Sequence, residues 1–291
     1  MMQGIQRAGS GLETFLVLGR VNGLGTIWSN CLAGWLLSGG GEPGRFLAVC
    51  LGATGLYLGA MFLNDACDAA SDLLVRPARP IPRGIVRPRL VYYAGLAWLA
   101  TGSALLASLG FAPAAFTIIL LGAIIVYDLV HAQLRLAPAL PAVCRFLLYM
   151  LAGSASENGL QGLAVWNGLA MAAYVGAIGA WDRRGPSVGP PLRWPLVLLA
   201  APFFIAVLAN GPGYRLTAVF MALLLAGWIA WCLHHVFGPL RPRLQSMSSG
   251  LQAGIVLVDQ LAVASPSYPL MALFLLCFLS VLLIQRILPE T

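Results

Sequence analysis

Residues 64–84 read Asn64, Asp65, Ala66, Cys67, Asp68, Ala69, Ala70, Ser71, Asp72, Leu73, Leu74, Val75, Arg76, Pro77, Ala78, Arg79, Pro80, Ile81, Pro82, Arg83, Gly84. The stretch closes an apolar run near residues 46 to 64, and Asp65, Asp68 and Asp72 are three of only ten acids among 291 residues. A helix continued through them sets these carboxylates at i, i+3 and i+7, within about 60° of one another around the axis. Like charges so close repel, and beside a membrane each costs on the order of several kcal/mol unless a cation neutralises it. Magnesium, a hard ion that takes oxygen ligands and bridges to phosphates, is the expected counter-charge at Asp65, Asp68 and Asp72. The plain alternative is a solvated helix end, which fits poorly with such crowding of so few acids.

The rest of the chain explains why charge here is informative. Hydrophobic residues make up 59% of the sequence and charged residues 9%, and the mean hydropathy is +0.85. A soluble domain of this size has no interior large enough for that much apolar surface, so lipid is the expected solvent. Runs of about 20 apolar residues, enough to cross a hydrocarbon core of about 30 Å, recur along the whole length. They fall near residues 14 to 37, 46 to 64, 90 to 109, 112 to 129, 139 to 154, 163 to 181, 194 to 210, 214 to 235, 249 to 264 and 268 to 287, the ninth being short. The expectation is an all-α, polytopic transmembrane bundle of nine to ten helices, forming one integral domain over residues 1–291.

Basic residues near a span resist translocation, and arginine alone carries that signal because the chain has no lysine. Arg76, Arg79, Arg83, Arg87, Arg89, Arg135, Arg183, Arg184, Arg193, Arg241 and Arg243 follow even-numbered segments, whereas Arg45 and Arg215 lie in the other connections. Both termini and the even loops are therefore expected to face the cytoplasm, placing the acidic motif on that side of the inner membrane. The net charge of +7 is spread along one membrane face, which argues against a nucleic-acid partner. Nothing in the sequence calls for a protein partner. Cys31, Cys50, Cys67, Cys144, Cys232 and Cys277 show no metal-ligand spacing and read as packing residues. Arg20, Asn22 and Asn30 interrupt the first apolar run, which lacks a cleavage site and reads as a retained helix.

Downstream of the acids, Pro77, Pro80 and Pro82 stop the helix and stiffen the loop that carries Arg76, Arg79 and Arg83. Guanidinium forks match phosphate oxygens. Acids and arginines on one lip suit a metal diphosphate, while the competing reading is that the arginines only enforce topology.

The pattern N-D-x-x-D-x-x-x-D followed by R-P-x-P-x-G, filled by Asn64, Asp65, Asp68, Asp72, Arg79, Pro80, Pro82 and Gly84, resembles the first aspartate-rich motif of the UbiA superfamily of intramembrane prenyltransferases. Arg20 to Gly34 is similar to the opening helix of bacterial members, Tyr127 and Asp128 end the fourth segment as a tyrosine does there, and Cys144 with Arg145 resembles a recurrent pair in the fifth. The resemblance implies about nine helices around a central cavity open to lipid, with acidic motifs of the second and sixth helices facing each other. Asp72 and Asp182 end those two segments. It implies magnesium-dependent transfer of a prenyl group from an isoprenoid diphosphate to a lipophilic acceptor, by default an aromatic or quinone precursor. Asp65, Asp68 and Asp72 are then the catalytic, metal-binding acids. Asn64 supports them, Arg79 and Arg83 hold diphosphate, and Tyr127 and Asp128 lie beside it.

The second family motif, D-x-x-x-D, is reduced here to Asp182 within Ala180, Trp181, Asp182, Arg183, Arg184, Gly185. The family's lysine after the fourth-segment tyrosine is also missing, and His131 or Arg135 takes its place. A non-catalytic isoprenoid-binding or transport protein on the same fold is the alternative that these departures favour. Arg20 and Arg145, inside apolar segments, are expected either to contact diphosphate or to serve as structural hydrogen-bond donors. Asp259 is expected to make an interhelical polar contact. The longer signature of CDP-alcohol phosphotransferases is absent, and no filter pattern of an ion channel is present.

Overall fold

A chain in lipid must satisfy its backbone internally, and every regular element among the described residues is helical. The computed structural model describes residues 11–130, 139–184, 193–209, 215–237, 244–264 and 267–287. In chain order the helices are α1 (Gly11–Leu18), α2 (Leu24–Leu37), α3 (Pro43–Cys67), α4 (Ala69–Val75), α5 (Pro88–Ala107), α6 (Phe111–Val130) and α7 (Ala139–Ser154). They continue as α8 (Gly162–Arg184), α9 (Pro195–Leu199), α10 (Ala201–Ala209), α11 (Arg215–Phe237), α12 (Leu244–Val263) and α13 (Tyr268–Ile287). Each apolar run of the sequence is helical, and 139–154 and 268–287 keep their expected limits.

The expectation of nine to ten spanning helices is met in part. Among the described residues, six helices are long and apolar enough to cross a membrane: α3, α5, α6, α8, α11 and α13. The helices α2, α7 and α12 lie inside the bundle, where α2 packs on both α7 and α12. Their small and polar residues face protein. Leu275, Leu276, Leu279 and Leu283 of α13 point outward instead, as expected of a helix that meets lipid on one side.

Two expected segments are broken, for identifiable reasons. The run 14 to 37 divides at Arg20, which adopts a left-handed conformation with φ 42° and ψ 50°, followed by a 3-10 turn over Val21–Gly23. The Tyr57 hydroxyl donates to the Arg20 carbonyl at 2.9 Å and Thr26 Oγ1 to the Gly23 carbonyl at 2.7 Å, tying the break to α3 and to the first turn of α2. The run 194 to 210 divides at Ala200, where Pro202 supplies no N–H to continue the ladder and sits in the first turn of α10.

The acidic motif hangs from α3, and α5 holds α3 in place by close backbone approach. A Cβ added at Gly102 of α5 would stand 2.7 Å from the Gly52 carbonyl oxygen and 2.9 Å from the Leu56 nitrogen of α3. Small residues allow this in a membrane, where dispersion and packing replace the hydrophobic drive between helices. Gly102→Val is expected to separate α3 from α5 and to destabilise the protein by about 1–3 kcal/mol, the usual cost of overpacking. A lowered unfolding midpoint in detergent checks this. At the bundle end opposite the motif, Arg45 donates to the carbonyls of Ala155 at 3.2 Å and Leu109 at 3.0 Å, a cation placed against helix C-termini.

Candidate active site

The three acids do not ride on one uninterrupted helix. α3 ends at Cys67, Asp68 takes φ −78° and ψ −3°, and α4 begins at Ala69. Helical hydrogen bonding nevertheless passes through the junction, from Asp68 N to Asn64 O and from Asp72 N to Asp68 O, each at 2.9 Å. Asp65, Asp68 and Asp72 therefore still border one cavity, of about 1030 Å³.

The proline-rich loop then turns back over the acids. Ile81 is buried with Leu18, Phe62 and Val91, pinning the loop apex to the bundle. Gly84 takes φ 71°, a left-handed conformation that glycine adopts without steric cost. The loop closes through Gly84 N to Ile81 O at 2.9 Å and Ile85 N to Pro80 O at 3.0 Å. This path carries Arg79 inward until it is only 5% exposed.

Arginine is the counter-charge that the structure shows. Arg79 Nη1 lies 2.6 Å from Asp72 Oδ2 and 3.3 Å from Asp65 Oδ1, so one guanidinium bridges two carboxylates. Arg20 Nη2 donates to Asp65 Oδ1 at 2.9 Å and to Asn64 Oδ1 at 3.2 Å. The break at residue 20 thus serves the site, since it delivers this cation to α3. Asn64 Nδ2 reaches Asp68 Oδ2 at 3.5 Å, and Asp68 is half-buried on the cavity wall.

Other expected residues converge on the same cavity. Tyr127 and Asp128 from α6, Arg145 from α7 and Asp182 from α8 all line it. Asp72 and Asp182, which end the second and sixth segments, thus border one cavity, and Asp182 is hydrogen-bonded to Ser248 of α12. Arg83 is the exception: its side chain is exposed and is not part of the cavity wall. Ile81 sets the turn so that Arg79 enters while Arg83 leaves. Arg76, at the end of α4, lines the cavity instead. His131 and Arg135 lie outside the described residues.

Several wall residues were not singled out from sequence: Tyr57, Gln252 and Gln285. Tyr57 and Gln285 interrupt largely apolar helices, which is the signal that marks them, whereas Gln252 sits among Gln245, Ser246, Ser248 and Ser249 of α12 and does not stand out.

Arg145 and Asp259 belong to one buried polar network. Asp259 is fully buried and accepts from Ser29 Oγ at 2.6 Å, from Asn30 Nδ2 at 2.9 and 2.7 Å, and from the Tyr149 hydroxyl. Asn30 Oδ1 in turn accepts from Arg145 Nη1 at 2.7 Å. Asp259 is thus the expected interhelical contact, joining α2, α7 and α12.

The oxygen donors of Asp65, Asp68 and Asp72 are of the type magnesium takes, and they share one cavity wall, so their chemistry fits the ion. Among the described residues, however, no three acidic, histidine or cysteine side chains gather closely enough to hold a metal. Arg79 stands between Asp65 and Asp72. Within the chain itself, the charge on Asp65 and Asp72 is balanced by arginine, whose loop reaches them from the same lip.

Fold and cavity together define an all-α, multi-pass membrane protein with a large internal cavity. The solved structure of a digeranylgeranylglyceryl phosphate synthase matches with a TM-score of 0.61 at 17% sequence identity, over 87% of this chain and 97% of that one. No family model and no curated protein matches the sequence.

Proposed function

We propose that this chain is an intramembrane prenyltransferase that moves a prenyl group from an isoprenoid diphosphate to a lipophilic acceptor, with an aromatic or quinone precursor as the default. The observation that carries the reading is the Asp65, Asp72, Arg79 and Arg20 cluster on the wall of a large cavity whose other walls include Leu56, Ile124, Leu148 and Ile178. Likeness in fold to a digeranylgeranylglyceryl phosphate synthase supports it.

On this reading Asp65, Asp68 and Asp72 hold magnesium, which supplies charge stabilisation to the departing diphosphate. Arg79 and Arg20 contribute the same from the protein side, because guanidinium N–H groups can be shared between carboxylate and phosphate oxygens. Asn64 keeps Asp68 oriented, and Tyr127 and Asp128 border the headgroup. The apolar wall takes the isoprenoid tail and excludes water, so that the allylic carbon meets the acceptor rather than hydrolysis. The allylic C–O bond breaks with its electron pair leaving on the diphosphate, and the acceptor forms the new bond as it gives up a proton. The protein acts as a single integral domain over residues 1–291, in the inner (cytoplasmic) membrane with the acidic end toward the cytoplasm.

One observation favours the second reading, a non-catalytic isoprenoid-binding or transport protein. Arginine already neutralises two of the acids, and Asp182 is the lone acid of the second motif. Diphosphate release from a long-chain prenyl diphosphate with magnesium separates the two. Wild type is expected to release it and Asp68→Ala to lose about 100-fold or more, the scale of losing one group that stabilises transition-state charge. Equal release by both proteins defeats the catalytic assignment, and binding without release supports the second reading.

A further inference from the structure

We propose that the free edge of the Arg145 guanidinium is a second anion site in the cavity, deeper than the acidic cluster, that takes the carboxylate or phosphate group of the acceptor. This rests on the prenyl-transfer reading for the word acceptor, but the site itself is argued from Arg145 alone.

Arg145 has five N–H donors, and three are spent on helix α2. Nη1 donates to the Thr26 carbonyl at 2.9 Å and to Asn30 Oδ1 at 2.7 Å, and Nη2 donates to Thr26 Oγ1 at 2.7 Å. What is left is Nε–H and one hydrogen of Nη2, the side-on fork that receives two oxygens of a carboxylate or phosphate. Among the described residues neither has an acceptor, and none of the ion pairs involves Arg145. Nor is the free edge sealed in protein: the buried side-chain atoms without partners are Trp35 Nε1 and Gln260 Oε1, while Arg145 is half-buried and lines the cavity. A vacant guanidinium fork that faces a hollow inside a membrane protein presents two parallel donors suited to an anionic group.

The site is separate from the diphosphate end. α2 and α7 run side by side in the same direction, Arg145 meeting Thr26 and Asn30 while Tyr149 and Ala152 meet Gly34. Arg20, which belongs to the acidic cluster, lies before the break and the 3-10 turn that precede Thr26, and Arg145 is six residues into α7, about 9 Å along its axis at the helical rise. Arg145 shares no hydrogen-bond partner with Arg20 or Arg79.

Asp259 is the positioning residue for this site. Its hydrogen bonds go to Ser29, Asn30 and Tyr149, so besides its charge, which is close enough to act on Arg145, it reaches Arg145 by hydrogen bonding through Asn30. By receiving both Asn30 Nδ2 bonds it fixes the amide with Oδ1 toward Arg145, which holds the guanidinium plane and leaves the fork open.

The test uses the full chain in nanodiscs without metal or diphosphate, with para-octylbenzoate and octyl phosphate as anionic probes and para-octylbenzamide as the neutral one. Wild type is expected to bind at least one anionic probe about tenfold or more tightly than the amide, the range of a charge-assisted hydrogen bond. Which probe it is tells carboxylate from phosphate. Arg145→Gln is expected to erase the preference and Arg76→Gln, a change to the exposed cavity-lining arginine at the acidic end, to leave it. A preference that survives Arg145→Gln, or that disappears with Arg76→Gln instead, overturns the proposal. Should Arg145→Gln fail to fold, a diazirine derivative of para-octylbenzoate is crosslinked to wild type and the labelled peptides mapped. Label around Thr26, Cys144 and Leu148 supports the site; label confined to residues 64–79 overturns it. Since no prenyl diphosphate is present, a failure here is distinct from a failure of Asp68-dependent diphosphate release.

Discussion

Arg79→Ala is expected to destabilise the protein by about 3–5 kcal/mol, the cost of removing one partner of a buried ion pair. The residue is 5% exposed and spans Asp65 and Asp72, which are 5% and 6% exposed. Without it Asp72 loses its 2.6 Å partner, whereas Asp65 retains Arg20 at 2.9 Å. The penalty therefore falls mainly on Asp72, and the double variant Arg79→Ala/Asp72→Asn is expected to recover much of the loss. Unfolding midpoints of the two single variants and the double variant in detergent measure this coupling. Additive midpoints would show that the bridge contributes nothing. Arg79→Ala also removes the cation that keeps Asp65 and Asp72 occupied, so its metal affinity without diphosphate, read with manganese as a paramagnetic probe, is expected to exceed that of wild type.

Asp259→Ala has a comparable expected cost, about 3–5 kcal/mol for three donors left without their acceptor, by a different route. No charge is left unpaired by direct contact, but Ser29, Asn30 and Tyr149 lose their common acceptor inside the bundle. Each unsatisfied buried donor costs about 1–3 kcal/mol, and partial repacking reduces the sum. Asp259→Asn keeps one acceptor oxygen and is expected to lose less. Midpoints ordered wild type, then Asp259→Asn, then Asp259→Ala confirm the network, and an unchanged midpoint for Asp259→Ala refutes it. The same series reads the open fork: loss of anion preference in Asp259→Asn, with Arg145 intact, marks positioning rather than contact.

The two networks differ in how visible they were in sequence. Asp65, Asp68 and Asp72 announce themselves because their spacing is local and a helix converts it directly into one face. Asn30 and Asp259 are separated by 229 residues, and no periodicity links them. Only the packing of α2 against α12 brings them together. Similarly, Arg79 and Arg83 are equivalent in the sequence pattern, yet burial of Ile81 sends one inward and leaves the other exposed.

By itself the sequence determined the class of solvent, the helical segments and the acidic motif, because hydropathy and helical period act over a few turns of one chain. Tertiary structure decided what neutralises the acids. Counter-charge is a matter of distance in space: Arg20 lies 45 residues from Asp65, and only a broken first helix sets it beside the carboxylate.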